Sequence, residues 1–222
     1  EILRCLVGSE MCIRDRATQA KLLAQHLKEA GKNVQEITFP DYASDSSALV
    51  KMYLAGQFGA RPDDVNAYAA SSFYAVDRYA GYKADWGRFY EEGGILIADR
   101  YTTSNAVHQT SKLPPQERQA FLDWLFDFEY RKLGLPEPDR VLYLDVPTEL
   151  SEQMMRRREQ LTHTTADIHE RDEAYLRSCR ESAAMVVDYG GWTRIDCARD
   201  GQVRSVDDIH REVMERLRDL LE

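Results

Sequence analysis

"GGILIADRYTTSNAVHQ", Gly93 to Gln109, decides how the rest of the chain is read. Two glycines open it, Ile95-Leu96-Ile97-Ala98 follow without interruption, and charge arrives at Asp99-Arg100. A short unbroken apolar run of this kind reads as a strand buried on both faces, as strands of parallel sheets are. In open α/β sheets, ligands gather outside the carboxyl ends of the strands, so Asp99, Arg100 and Tyr101 fall on the functional edge. An Asp there suits a hydrated divalent cation and an Arg suits phosphate, although a structural ion pair explains an isolated Asp-Arg equally well. The sequel adds Ser104, Asn105, His108 and Gln109, polar groups at helical spacing.

Outward from this stretch, strand-like and helix-like segments alternate, the pattern of a mostly parallel sheet covered by helices. "NVQEITFP" (Asn33 to Pro40) reads as a strand after a glycine stop at Gly31, "RVLYLDVP" (Arg140 to Pro147) as a third strand and "WTRIDC" (Trp192 to Cys197) as a fourth. Helices are expected over roughly Asn66–Glu91, Pro115–Lys132, Thr148–Glu159, Arg171–Tyr189 and Val206–Leu221, the last with Asp207 and Asp208 where the helix dipole favours acid.

A chain of 222 residues, 43% hydrophobic and 30% charged, is a globular domain of ordinary size. Its net charge of −9 argues against a general nucleic-acid surface. Cys5, Cys12, Cys179 and Cys197 show no C-x-x-C spacing, so neither a zinc site nor a disulfide framework is indicated. No apolar run approaches the roughly 20 residues that span a bilayer, and the first sixteen residues lack the features of a signal peptide. A cytoplasmic protein without membrane or nucleic-acid partners is expected.

Three further stretches carry candidate chemistry. "SSFYAVDRYAGY" puts Tyr74 and Arg78 on one helix face, able to stack on a planar base and hydrogen-bond its edge, or to serve as core. "FPDYASDSSALVK" is a loop entering a helix, where Ser46 and Ser47 cap or an anion docks. "RRREQLTHTTADIHERD" joins Arg156, Arg157 and Arg158 to Asp167, His169 and Glu170. It reads as a mobile lid bringing arginine to a transferring phosphate, or as a solvated helix end.

From Ala17 onward the order of "ATQAKLLAQHL", "TFPDY", "FYAVDR", "ADRYTTSNAVHQ", "LYLDVPTEL" and "ADIHERD" resembles the thymidylate kinase family. The resemblance implies a three-layer α/β P-loop kinase fold with a central parallel sheet of about five strands, in a domain over residues 17–222 with a lid around 156–170. It implies dTMP as acceptor, ATP as donor, Mg2+ as cofactor and a homodimer. By matching position, Tyr74 stacks on the base, Arg78 reads it, and Phe39, Tyr42, Asn105, His108, Asp167, His169 and Glu170 surround the acceptor. His108 and His169 stand where tyrosines are frequent, and Asp41 where several members carry a basic residue. Asp99 falls near the metal, Arg100 at the acceptor phosphate, and Arg156, Arg157 and Arg158 in the lid. On the donor side the resemblance points to Arg16, Ala17, Thr18 and, near the adenine, Arg199. Another nucleoside monophosphate or deoxynucleoside kinase, or a non-catalytic nucleotide-binding homologue, remains as the alternative.

One part of the pattern is missing. Aligned without gaps, Arg16 falls on the lysine of G-x-x-x-x-G-K-(S/T), and Asp15 and Glu10 fall on its glycines. Carboxylates there repel a polyanion, and neither residue readily takes a glycine-specific backbone. "EMCIRDR" back-translates to a sequence like the transposase ends used in sequencing-library preparation. The expectation is therefore that residues 1–16 are a non-native segment standing in for the first strand and phosphate loop, Arg16 being the junction codon. "ILRCLV" is apolar enough to act as that strand. The chain as it stands is expected to be an impaired enzyme; the rival is a divergent, non-catalytic family member.

Overall fold

The computed structural model describes residues 2–8, 13–147, 150–151, 169 and 172–221. β1 (Ile2–Gly8) is followed by α1 (Ile13–Glu29), β2 (Val34–Thr38) and a 3-10 turn (Asp45–Ser47) that runs into α2 (Ala48–Leu54). Next come α3 (Ala67–Gly81), a π-helical turn (Tyr82–Trp86), α4 (Gly87–Glu91) and β3 (Ile95–Asp99). α5 (Thr102–Thr110) and α6 (Pro115–Phe126) precede a second π-helical segment (Asp127–Lys132) and β4 (Arg140–Asp145). The chain closes with α7 (Glu173–Gly190), β5 (Thr193–Asp196), the short pair β6 (Ala198–Arg199) and β7 (Gln202–Val203), and α8 (Val206–Leu221).

Five strands make one sheet in the order β2-β3-β1-β4-β5, and all four pairings are parallel. Ile2–Gly8 takes the central place, with Leu3 opposite Leu96 and Cys5 opposite Val141. Alternate strand residues enter different cores, as the period of two requires. Leu96, Ala98, Val141 and Tyr143 pack with Val107 of α5, Phe121 and Leu122 of α6, and Leu176 and Val186 of α7. Ile97, Leu142, Leu144 and Ile195 pack with Leu23 and Leu27 of α1 and with Ile209, Val213 and Leu217 of α8. Helices therefore cover both faces, giving three layers.

The helix boundaries follow from local chemistry. Asn66 and Asp172 cap α3 and α7, accepting the backbone N–H of Ala69 and Tyr175, and Gly191 ends α7 at a φ of 60°. The single helix expected over Asn66–Glu91 is interrupted by its π turn, which periodicity does not reveal. Gly87 caps that turn: its N–H bonds the Tyr82 carbonyl, and a Cβ there would lie 2.2 Å from the same oxygen. α1 begins at Ile13, one turn before Ala17, where the family resemblance begins.

The topology also locates the ligand edge. From β1 the chain crosses to β2 beyond β3, and from β3 it crosses to β4 beyond β1. The connections thus leave neighbouring strands in opposite directions, and the crevice at such a switch point is where α/β sheets bind ligands.

Candidate active site

Two clusters sit at this edge. The first is a cleft lined by Phe39, Tyr74, Arg78, Arg100, Tyr101, Ser104, Asn105, His108, Gln109 and His169. α5 supplies most of one wall, and every one of its nine residues is buried, polar ones included. Buried polar groups need partners, so this helix is costly unless neighbours or a ligand satisfy it. Asn105 donates to the Ser71 carbonyl of α3 at 3.3 Å. The Ser104 hydroxyl and both amide atoms of Gln109 have no hydrogen-bond partner among the described residues. Gln109 thus presents, among the described residues, an unpartnered donor and acceptor on the cleft wall.

α3 supplies the opposite wall. Arg78 is 1% exposed and holds Glu129 through two parallel bonds, Nε to Oε2 at 2.6 Å and Nη2 to Oε1 at 2.5 Å. Thr102 donates to Oε2 of the same Glu129 at 2.7 Å. Burial alone would lower the Arg78 pKa, but the adjacent Glu129 carboxylate outweighs it and raises the value above the ordinary one. The fork is therefore a permanent cation whose orientation Glu129 sets. Asp77, the preceding residue, is equally buried. It accepts from the Asp41 N–H at 2.9 Å and the Ser46 hydroxyl at 2.6 Å, pinning the loop after β2. Phe39 leans on Tyr101 and Trp86, with ring centroids 6.1 and 6.4 Å away.

Arg100 joins β3 to α5 at a φ of 70°. A left-handed non-glycine residue costs about 1–2 kcal/mol and survives where its surroundings fix it, often at functional sites. The strain turns the chain from the strand end into a helix whose polar side faces the cleft.

The second cluster lies across the switch point. Asp99, at the end of β3, accepts from Nε of Arg16 in α1. Arg16 is 1% exposed, and its Nη1 has no partner among the described residues. Ala17 and Thr18, half-buried, lie beyond the first four residues of α1, so their N–H groups serve the helix ladder. Arg199 is exposed on the β6–β7 hairpin, whose turn residues Asp200 and Gly201 both adopt positive φ, 52° and 73°. Arg204 ties this hairpin to α8, bonding the Asp196 carbonyl, Asp208 and Glu212 at 2.6–2.7 Å.

Of the residues singled out from sequence, Phe39, Tyr74, Arg78, Arg100, Asn105, His108 and His169 meet in the first cluster. Tyr42 is 57% exposed and lines no part of the cleft. Asp99 and Arg16 pair in the second cluster, and Arg199 stands apart at the hairpin. Arg156, Arg157, Arg158, Asp167 and Glu170 lie outside the described residues. Sequence reasoning missed Glu129, which a π-helical segment turns inward, and gave Gln109 no role although its helical spacing put it on the polar face.

The thymidylate kinase family model matches residues 16–212. The thymidylate kinase of Mycobacterium tuberculosis is 30% identical over 161 residues, which cover 71% of this chain and 73% of that one. A probable thymidylate kinase of Staphylothermus marinus is 28% identical over 191 residues, covering 86% and 82%. Among solved structures, a thymidylate kinase from Candida albicans aligns with a TM-score of 0.68 at 17% identity, over 99% of this chain and 92% of that one, a likeness of fold.

Proposed function

The chain belongs to the thymidylate kinase family, and from that premise we propose that the cleft between α3 and α5 takes the acceptor nucleotide while Asp99 and Arg16 mark the donor side. The reaction is phosphorylation of dTMP to dTDP with ATP as donor. The observation that carries the site assignment is the convergence of Tyr74, Arg78, Arg100, Asn105 and the unpartnered Gln109 amide on one cleft. Tyr74 stacks on the base, while the Arg78 guanidinium, oriented by Glu129, and the Gln109 amide read its edge. Discrimination for a planar base rests on such stacking and a few placed polar groups. Phe39 flanks the base, and Asn105 and His108 lie along the sugar side.

Phosphoryl transfer asks for positioned phosphates and for cations around the transition state, with little covalent chemistry from the protein. Arg100 grips the acceptor phosphate through its planar fork and holds the attacking oxygen in line. Arg156, Arg157 and Arg158 bring lid charge to the transferring group, with Asp167 and Glu170 at the lid's end. Arg199 packs by the donor adenine, and Tyr42 marks the approach to the cleft. A magnesium ion fits a site of one carboxylate completed by phosphate oxygens. Asp99 is that carboxylate, and its bond to Arg16 uses only Oδ1. When bound, the ion would neutralise charge on the phosphates.

The donor side is the weak half of this chain. Glu10, Asp15 and Arg16 stand where the phosphate loop needs two glycines and a lysine, and the family match starts at Arg16. Turnover of the chain as it stands is therefore several orders of magnitude below that of a loop-bearing version. The protein works in the cytoplasm as a homodimer; Tyr68, Val76 and Tyr79, exposed together along α3, support the pairing face. Among the described residues no helix is long and apolar enough to cross a membrane. Titration with dTMP, dUMP, CMP and AMP tests the acceptor assignment: dTMP binds tightest, and tightest binding of AMP would overturn it.

A further inference from the structure

A groove of about 610 Å³ lies between α1 and α8, apart from the cleft described above. Lys32, on its wall, comes just before β2, and β2 runs parallel to β3, which ends at Asp99. The groove therefore sits toward the end of the sheet opposite the ligand edge, and no residue proposed for dTMP or ATP lines it. Its floor is apolar. Leu27 of α1 is 2% exposed, and Met214 and Leu221 of α8 pack against the same core while staying half-buried.

α8 sets out its residues in two adjacent stripes. Ile209, Val213 and Leu217 enter the core, while Arg211, Met214, Glu215, Arg218 and Leu221 follow the helical spacing along the groove. The rim so formed is basic. Lys32, Arg211 and Arg218 are exposed around the apolar floor, and Glu215 is the one carboxylate among the described lining residues. On a chain of net charge −9 this is a local excess of cations. Helix dipoles account for only part of it. Arg218 stands in the last turn of α8, where carbonyls favour a cation, but Arg211 is near its start and Lys32 lies beyond α1. Nor are these cations committed to acids. Among the described residues, Lys32 and Arg218 enter no ion pair, and Arg211 reaches Asp208 at 3.5 Å, a carboxylate that Arg204 already holds at 2.6 Å.

A cavity of this volume falls within the range of small-molecule sites, roughly 300–1,000 Å³, which are largely apolar with a few placed polar groups. We propose that the groove binds a small amphipathic anion, its apolar body on Leu27, Met214 and Leu221 and its acidic oxygens on Lys32, Arg211 and Arg218. Burial of the body supplies affinity. The guanidinium forks and the ammonium select an acidic head over a neutral or cationic one. A carboxylate and a phosphate monoester share this chemistry. A cleft between two helices encloses one molecule, whereas a membrane surface asks for a protruding amphipathic face. The site stands apart from the acceptor and donor readings and does not depend on them.

The test is methyl NMR of the full chain labelled with methyl-13C methionine, with Met214 assigned from the spectrum of Met214→Leu. Decanoate and decyl phosphate, each below its micelle concentration, should shift the Met214 signal in a saturable manner. The tighter of the two identifies the head as carboxylate or phosphate. Decanol and decylammonium keep the body but lose the acidic head, and should bind at least roughly tenfold more weakly. Lys32→Met combined with Arg218→Met should weaken both anions by roughly fivefold at low salt, the scale of two exposed ion pairs. Lys32→Gln with Arg211→Gln serves the same purpose should that double variant not fold. Equal affinity for decanol and decanoate, a Met214 signal unmoved by either anion, or anion affinity unchanged in the folded double variants overturns the proposal. So does a response to phosphatidylglycerol vesicles with none to the monomeric anions.

Discussion

The cleft between α3 and α5, proposed for the acceptor, and the edge at Asp99 and Arg16, proposed for the donor, lie at the same end of one sheet, yet they are built to different standards. In the cleft, side chains from α3, α5 and the loop after β2 converge, and each buried charge has a partner suited to it: Arg78 with Glu129, and Asp77 with Asp41 and Ser46. At the donor edge, Arg16 lies against Asp99 with one guanidinium nitrogen unsatisfied among the described residues, and the sequence before it carries Glu10 and Asp15. Ile2–Gly8 nevertheless fills the central strand position. A parallel strand asks for little more than apolar residues and free backbone groups, so many sequences can serve. A phosphate cradle asks for particular residues, because its donors are backbone N–H groups that only glycine lets curl round an anion. A strand at this place needs little more than apolar residues, whereas a phosphate loop needs its glycines.

The largest expected effect strikes at that contrast directly. Replacing Glu1–Ala17 by an apolar strand and a G-x-x-x-x-G-K-(S/T) loop should raise turnover by about three orders of magnitude or more in a coupled ADP-release assay. Near-equal rates would abolish the distinction between the two regions. Next in size, Glu129→Ala leaves the Arg78 cation buried without its partner, and urea denaturation should register a loss of about 3–5 kcal/mol. A loss below about 1 kcal/mol would mean that water or another group replaces the carboxylate.

Arg100 tests the proposed phosphate contact against a purely structural role. Arg100→Lys keeps a point charge but loses the fork, and dTMP affinity should fall at least roughly tenfold, about 1.4 kcal/mol, with little change in Tm. Arg100→Gly relieves the positive φ, so it should raise stability by about 1 kcal/mol while weakening dTMP binding further. If Arg100→Lys melts the fold while dTMP binding per folded molecule is intact, Arg100 is structural. A further effect is the stability linkage of Lys112. Its folded pKa of about 8 lies below the ordinary 10.5, so the unfolded chain binds more protons in that interval. Its contribution to stability therefore increases from about pH 8 to 10.5 and is lost as pH falls back through 8. Denaturation curves across that range should show a rise that Lys112→Met removes.

Much of the architecture was legible in the sequence because it rests on pattern. The strands at Ile95–Asp99 and Arg140–Asp145 are apolar runs ending in acid, and the helix at Val206–Leu221 presents Ile209, Val213 and Leu217 at helical spacing. Most of the cleft was legible too, since Tyr74 and Arg78 share a helix face and Asn105 and His108 follow the strand end. What stayed hidden depends on geometry that periodicity does not encode. Glu129 sits in a helical stretch, and only a π-helical segment turns it toward Arg78, 51 residues away in sequence. Lys112 and His169 lie 59 and 116 residues from Tyr53 and carry no spacing signal, so only tertiary packing brings them to its hydroxyl. The Arg16–Asp99 pair was equally unreadable, because it joins a helix start to a strand end 83 residues on.

The contrast between the two regions is tested most directly by calorimetric titration of the chain as it stands, with dTMP and separately with ATP and magnesium, beside the loop-bearing version. The account predicts dTMP affinities that agree within about threefold between the two proteins, and ATP affinity at least roughly hundredfold weaker in the chain as it stands, a difference of about 2.7 kcal/mol. Equal ATP affinity in both proteins, or no dTMP binding to the chain as it stands, would contradict it.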